Sequence, residues 1–323
     1  MSWGWIEAWL ASLPADARPV LAVLRDGEAA AWFGRRRVTR HHVITSRAWF
    51  LQQTGVPRFD ELCVERVGAV GDAGALRELI AGLPPSWDEI VLPGVDREIV
   101  TALGNDRVFV ERAVAAPYVD LARVRGSTYP QLLGSSTRAQ LRRAQRGLGP
   151  LVVEEATDAA HATSIYDELV QLHGARWRAA GQPGAFADPW FDAFHRRLIE
   201  ARLASGEIQL LRVRAGERTV GCLYNFVYRD RVAFYQCGLA APAGPHDKPG
   251  LVTHAAAIEH AARAGLAIYD FLAGEARYKR NLSTDTAELV WARFQRPLAR
   301  FAVENWLQAR IARLRGTAAR SSP

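Results

Sequence analysis

The stretch YDFLAGEARYKR, residues 269–280, places a carboxylate, a phenol and an ammonium close together. Asp270 interrupts an apolar run of Ile268, Tyr269 and Phe271 that reads as a buried strand. A carboxylate there is costly unless something pairs with it. Gly274 permits a turn, and Glu275, Tyr278 and Lys279 follow. Of 41 Lys plus Arg, Lys248 and Lys279 are the lysines. A compact ammonium is thus placed at two positions where the chain otherwise uses a guanidinium fork.

A second group sits in LVQLHGARWRAAG, residues 169–181. On a helix over 164–180 the apolar face is Ile165, Leu169 and Leu172. At about 100° per residue, Arg176 projects near the centre of that face and His173 near its edge. Two arrangements satisfy this. Either Arg176 meets an internal acid, with Asp270 the obvious partner, or the face lines a pocket. In the pocket His173 is the base, Arg176 and Asp270 anchor substrate, and Trp177 forms a wall. The third group is the loop AAPAGPHDKPG, which feeds the helix LVTHAAAIEHAARAG. A helix start offers unpaired N–H groups and a positive dipole end, and Lys248 adds a charge for phosphate.

The elements that must hold these groups follow from pattern and punctuation. EIQLLRVRAGERTVGCLYNFVYRDRVAFYQCGL gives three consecutive strands, with turns at residues 215–217 and 229–230. Loop, helix and the strand LAIYDFLAG follow, then the strand AELVWARFQR and a basic closing helix. Upstream, DPWFDAFHRRLIEARLASG is a helix with Asp188 as N-cap, Pro189 at its first position and Gly206 at its end. The first half holds a hairpin around Asp26-Gly27, the helix ALRELIAGL, the buried strand DEIVLPGV, a helix capped by Asp96 and a long extended run to Leu121. RRRVTRHH, residues 35–42, reads as a solvated hairpin tail, with a contact to nucleic acid or an acidic polymer as the alternative. Between the halves a helix capped by Ser135 or Ser136 runs to Leu148. Its Thr137, Leu141, Ala144 and Leu148 share one face, and Arg138, Arg142 and Arg146 another. Like charges at that spacing cost about 0.2–0.5 kcal/mol per pair, so the arginine face needs an anion, an acid or water.

The chain has 323 residues, 49% hydrophobic and 23% charged, with net charge +7, which fits a globular chain of two domains and excludes wholesale disorder. The basic surplus favours anionic partners without choosing among them. Cys63, Cys222 and Cys237 form no CxxC or Cys/His cluster, so no metal site is expected. The two cysteines on neighbouring strands read as core thiols. The start MSWGWIEAWLASLP reads as an amphipathic helix, and no run approaches the length of a membrane span, which predicts a soluble cytoplasmic protein. The predicted division is 1–125, a basic helical linker 126–150, a second domain 151–315 and a frayed tail 316–323.

The order meander, loop, helix, strand resembles the acyl-CoA-binding half of the GNAT superfamily of N-acetyltransferases. WDEIVLPGV (87–95), APYVDL (116–121), SSTRAQLRRAQRGLG (135–149), LVQLHGARWRAAG, DKPGL (247–251) and IYDFLAGEARYKR (268–280) resemble, more closely, acetyltransferases of the CelD/BcsL type. The arginine-rich helix also resembles the linker of Fem-type aminoacyl transferases, which pair two GNAT-like domains and take aminoacyl groups from tRNA. The resemblance implies an α/β (α+β) chain of two GNAT-like domains, each a mixed, mostly antiparallel sheet flanked by helices, the first one degenerate. It implies acyl-CoA (acetyl-CoA) as co-substrate, held at Cys237, Gly238, Lys248, Gly250 and Leu251. It implies transfer to an amine of a small-molecule or sugar-type acceptor, bound by Arg176, Trp177, Glu275, Lys279 and Arg142. His173, Asp270 and Tyr278 are the expected catalytic groups, Tyr278 as the acid for the leaving thiolate. HDKPGLV departs from the GNAT loop in lacking its second glycine, and Pro249 removes an N–H donor. A charged tRNA as alternative donor, or a degenerate pair that binds without catalysis, are the competing expectations.

Overall fold

The structure, a computed structural model, describes residues 2–24, 27, 29–60, 65–71, 73–104 and 106–318. Asp26, Cys63 and the last five residues of the expected tail (319–323) lie outside them. In chain order the elements are α1 (Trp3–Ser12), β1 (Val20–Val23), β2 (Ala30–Arg40), β3 (Ile44–Leu51), α2 (Pro57–Asp60), α3 (Ala73–Ala81), β4 (Glu89–Asp96), α4 (Arg97–Leu103) and β5 (Val108–Asp120). Next come α5 (Leu121–Arg125), α6 (Tyr129–Leu132), α7 (Ser135–Leu148), β6 (Leu151–Glu155), α8 (Ala159–Ala179), α9 (Pro189–Arg202), β7 (Ile208–Ala215), β8 (Arg218–Tyr228) and β9 (Arg231–Leu239). The chain closes with α10 (Pro249–Arg263), β10 (Ile268–Asp270), α11 (Arg277–Leu282), β11 (Asp285–Gln295) and α12 (Ala299–Ala318).

The chain divides into two compact units. The larger comprises Met1–Ser12 and Val114–Ala287, the smaller Leu13–Ala113 and Glu288–Pro323. In the larger unit the strand order is β5-β10-β9-β8-β7-β6, antiparallel throughout except for the parallel pair β10–β9. In the smaller unit it is β1-β2-β3-β4-β11, antiparallel except for β3–β4. The arrangement is the mixed, mostly antiparallel α/β architecture expected of the sequence.

Local chemistry explains the element ends. The Asp188 carboxylate accepts the Trp190 N–H at 2.8 Å and Pro189 occupies the first helical position of α9. α7 begins one residue earlier than expected: Gly134 is its N-cap, its carbonyl taking the Arg138 N–H, so Ser135 and Ser136 lie inside the helix and cap nothing. Asp96 stands at the N-cap of α4 but makes no cap hydrogen bond, its carboxylate being paired with Arg66. The basic run 35–42 is no tail. Arg35–Arg40 belongs to β2 in register with β3, and His41 and His42 form the turn with φ of 50° and 61°. β10 is shorter than LAIYDFLAG suggests, because the Asp270 side chain takes the Leu272 N–H at 2.8 Å and Leu272 turns away with φ of 59°.

The core of the larger unit lies between the sheet and α10, whose Val252, Ala255, Ile258 and Ala261 pack against Val232, Phe234 and Tyr269. Leu141 and Ala144 bring α7 into the same core. Two strand glycines set how closely helices approach. A Cβ at Gly221 would lie 2.7 Å from Thr253 Oγ1 of α10. One at Gly238 would lie 2.8 Å from the Leu169 Cα of α8. Gly221 and Cys222 are consecutive on β8, and Cys222 is paired with Gly238, so α10 and α8 cover opposite faces of the sheet.

Candidate active site

The site forms where β9 and β10 part. Their parallel ladder runs Ile268↔Arg231, Tyr269↔Val232, Asp270↔Ala233. Beyond it β10 ends while β9 continues from Phe234 to Leu239. Just past the ladder β9 carries a bulge, with Phe234 opposite Asn225 but Gln236 opposite Tyr224, leaving Tyr235 as the extra residue. Bulges bend a strand away from its neighbour, which is what opens this gap.

Asp270 is fully buried and gives its carboxylate to Arg231 Nη1 at 2.7 Å and to the Leu272 N–H. Both interactions fix the end of β10. Lys279 completes the turn. Its Nζ donates to the carbonyl oxygens of Phe271 and Ala273, both at 2.7 Å, and passes over Gly274, whose φ is 140°. An ammonium with three donors on a flexible stem suits two converging carbonyls better than a guanidinium plane. Lys279 therefore ties backbone to backbone at the site's edge. Glu275 is exposed just beyond it.

Tyr278, on α11, lays its ring on His254 of α10, with centroids 5.7 Å apart and planes 22° from parallel. His254 is itself enclosed by Phe234, Phe271 and Tyr269, and its Nδ1 is 3.1 Å from the Tyr269 hydroxyl. Burial, with Lys279 adding to it, drives the His254 pKa down to about 3, so it is a neutral platform. Burial pushes the Tyr278 phenol up to about 12 although part of the residue is open to solvent, so the hydroxyl keeps its proton at neutral pH. Cys237 lies nearby with its thiol raised to about 11 by burial, which makes it inert as a nucleophile.

From the opposite face, Gly238 lets α8 sit directly on β9, and one turn past Leu169 comes His173. His173 is 5% exposed, packed edge-to-face on Phe186 at 4.8 Å and against Trp177 at 5.7 Å. Gly184, with φ of 77°, closes over it, and a Cβ there would lie 3.0 Å from the imidazole Cε1. Its buried Nδ1 has no hydrogen-bond partner among the described residues. Burial first, and then Arg176, lower its pKa to about 4. The ring is therefore unprotonated and able to accept a proton, though a weak base. Arg176 is not at the centre of a buried face as the helical wheel predicts. It is exposed, because the last turn of α8 from Ala175 onward leaves the sheet. From there its charge acts on His173, Cys237 and Tyr278 together.

The loop before α10 is closed by Asp247, which accepts the Ala243 N–H at 2.8 Å and Arg218 Nη2 at 2.6 Å. Burial raises the Asp247 carboxyl, but these two donors outweigh it and hold the pKa low. Lys248 is the exposed N-cap residue of α10, and Gly250 and Leu251 lie in its first turn. Pro249 is the first helical residue, a position whose N–H no helix bonds internally, so it costs the helix nothing. Arg142 is exposed on α7 with Arg143 and Arg146, while Arg138 donates to the Gln131 and Leu133 carbonyls.

The gap thus gathers Cys237, Gly238, His173, Arg176, Tyr278 and Lys279. It adds His254, Arg231, Phe186 and Gly184, which the sequence reading passed over. Only Gly184 carried a signal, as a glycine between the apolar ends of two helices. No group of His, Cys, Asp or Glu able to hold a metal is found among the described residues.

Residues 135–280 match the family model of the acetyltransferase (GNAT) domain, so the chain carries an acyltransferase domain of that type across this gap. No curated protein matches the sequence. Solved structures share the fold at low identity. FemX is similar with a TM-score of 0.60 and 10% identity, over 92% of this chain and 93% of that one. L-PGS from Bacillus licheniformis is similar with a TM-score of 0.56 and 10% identity, over 94% and 95%. The C-terminal domain of a lysylphosphatidylglycerol synthetase from Agrobacterium fabrum gives 0.55 and 13%, over 94% and 96%. No helix among the described residues is long and apolar enough to cross a membrane.

Proposed function

We propose that the chain is an N-acyltransferase of the CelD/BcsL type that moves an acetyl group from acetyl-CoA to an amine of a small-molecule or sugar-type acceptor. The observation that carries the reading is the parting of β9 and β10 beside a helix start. An acyl-pantetheine arm can lie along β9 from Phe234 to Leu239, where the ladder with β10 has stopped. The pyrophosphate then meets Lys248 and the first turn of α10. The thioester carbonyl takes a hydrogen bond from β9 backbone. The amine nitrogen forms a bond to the carbonyl carbon as the carbon–sulfur bond breaks. His173 accepts the proton the amine loses, and Tyr278 faces the thiolate that gains one. Asp270 and Lys279 hold the turn on which Tyr278 stands. The smaller unit, with the same sequence of meander, helix and parallel strand, is a degenerate GNAT-like companion.

Isothermal titration with acetyl-CoA tests this. Binding should occur with the intact chain and weaken about tenfold in Lys248→Ala. No binding of acetyl-CoA or CoA overturns it. One observation favours a second donor: Arg142, Arg143 and Arg146 form an exposed cationic face on α7, and Fem-type enzymes take their acyl group from charged tRNA. Filter retention of aminoacyl-tRNA, weakened by Arg142→Ala with a shallower salt dependence, would select that donor.

A further inference from the structure

The gap beside β9 carries positive charge with no acid to match it. Beyond the effect of burial, the fixed charges that act on its titratable side chains are cations: Arg176 on His173, Cys237 and Tyr278, and Lys279 on His254. Among the described residues no carboxylate acts on any of these four. Asp270 is close by, but it is fully buried and holds Arg231 and the Leu272 N–H. Glu275 is exposed beyond the turn. Other arginines around the same sheet are matched. Arg212 meets Glu154 and Glu168, Arg214 meets Glu154 and Glu217, and Arg196 meets Asp167 and Asp192. Asp167 and Glu168 stand on α8 itself, yet Arg176 of that helix makes no ion pair or side-chain hydrogen bond among the described residues.

Helix geometry gathers the groups that an acceptor would meet. His173, Arg176 and Trp177 stand at i, i+3 and i+4, so they are neighbours on one side of the end of α8. His173 is 5% exposed with its Nδ1 unpartnered, whereas Trp177 is 42% exposed and offers a flat wall. An amine arrives at neutral pH as an ammonium ion. Arg176 favours the loss of its proton, which attack on a thioester requires, but the same charge repels the incoming ion. An acceptor that brings its own anion resolves the conflict, because the guanidinium then captures one end and helps to deprotonate the other. We propose that the acceptor is an amine bearing an anionic group, a carboxylate or a phosphate, which Arg176 receives while Trp177 covers the carbon skeleton and the amine faces His173. A polyamine or a lysine-rich peptide is refused by the same charge. The inference rests on the assignment of this gap to acyl transfer from CoA.

Titration calorimetry of the full chain saturated with CoA, where no acyl group can be transferred, tests it. The probes are paired: glucosamine 6-phosphate against glucosamine, and β-alanine against β-alaninamide, with spermidine as the cationic control. An anionic probe should bind about tenfold more tightly than its twin that lacks the anion. The pair with the larger ratio tells phosphate from carboxylate. Arg176→Gln should bring both pairs within about twofold, and Arg176→Lys should keep part of the preference. Comparing ratios between variants removes the intrinsic difference in amine basicity within a pair. Arg176 is exposed, so circular dichroism should show an unchanged fold. The proposal fails if spermidine binds as well as the anionic probes, if neither anionic probe binds, or if the preference survives Arg176→Gln. A chain that binds CoA but shows no preference loses this inference alone. A chain that does not bind CoA loses the acyl-transfer reading, and the inference falls with it.

Discussion

Each unit runs an antiparallel meander into a helix and then into a strand parallel to the last of the meander, but the two differ where the parallel pair ends. In the larger unit β9 outruns β10 and leaves a gap. In the smaller, β3 stops at Leu51, directly after the Phe50↔Val91 pair, and β4 is the strand that continues, backed by β11. Their buried polar groups differ as well. The smaller unit sets acids against arginines: Glu89 is fully buried between Arg40, Ser46 and Arg293. The larger unit buries neutral histidines, His173, His195 and His254, two of them on tyrosine hydroxyls and one with Nδ1 unpaired. An internally neutralised ion network locks a unit. His195, with both ring nitrogens on tyrosine hydroxyls, is a satisfied core group, whereas the open Nδ1 of His173 leaves hydrogen-bonding capacity for a ligand.

The largest effect should come from breaking the lock. Glu89→Ala strands two arginines and should cost about 3–5 kcal/mol by denaturant unfolding. Acetyl-CoA affinity of the folded fraction should not change. A loss of affinity equal to the loss of stability would mean that the smaller unit is part of the donor site. Gly238→Ala acts on the other side of the comparison. The new Cβ would meet the α8 backbone, for an overpacking cost of about 1–3 kcal/mol. Here transfer should fall far more than stability, because α8 carries His173 and Arg176 over the gap. If activity per folded molecule survives, α8 does not shape the site.

Acid separates the units by pH. Burial lowers the pKa of His195 and His254 to about 3, and burial together with Arg176 lowers His173 to about 4, from 6.5. The unfolded chain binds these protons first, so stability is complete above 6.5 and is lost as pH falls from there toward 3. Each histidine contributes up to about 1.4 kcal/mol per pH unit. In the smaller unit burial raises the Glu304 and Asp88 carboxyls, but Arg40 and Arg47 respectively outweigh it and hold them low. Their contribution begins to fade only below the ordinary values of 4.5 and 3.8. Hydrogen exchange at pH 5 should therefore show faster opening of the larger unit's core with the smaller unit's unchanged. Equal acceleration in both would dissolve the distinction.

Much of this was legible in the sequence where local rules decide. The meander, the Asp188-Pro189 start of α9 and the glycine-bearing loop before α10 follow from turn chemistry and capping. The expected meeting of the LHGARW helix with the strand that ends at Asp270 did not follow: α8 packs on β7, β8 and β9, and Asp270 pairs with Arg231. What escaped depends on distant partners. Nothing near Asp270 in the sequence points to Arg231, its partner in the neighbouring strand. The helical wheel put Arg176 inward because a wheel has no end, whereas the sheet beneath α8 does. His254 gives no signal in the sequence because its aromatic enclosure comes from β9, α11 and the turn after β10, and no single segment shows it. The polar inner face of α12 is explicable only through Arg40 and Arg293, which other strands deliver.

The smallest expected effect concerns the two lysines, and it distinguishes a staple from a ligand group. Lys248 is exposed at the start of α10, and Lys279 is committed to the carbonyls of Phe271 and Ala273. Lys248→Arg keeps the charge where a phosphate would meet it, so stability should not move and acetyl-CoA affinity should change less than about threefold. Lys279→Arg replaces a compact ammonium with a plane too wide for two converging carbonyls over Gly274. It should lower stability by about 1 kcal/mol, measured as a shift in denaturant midpoint at constant slope. Affinity for acetyl-CoA should hold, since the lost bonds are internal. The reverse pattern, with Lys279→Arg fully stable but impaired in binding, would mean that the ammonium leaves the turn to meet substrate. The edge of the gap would then be part of the acceptor site, and no longer only its frame.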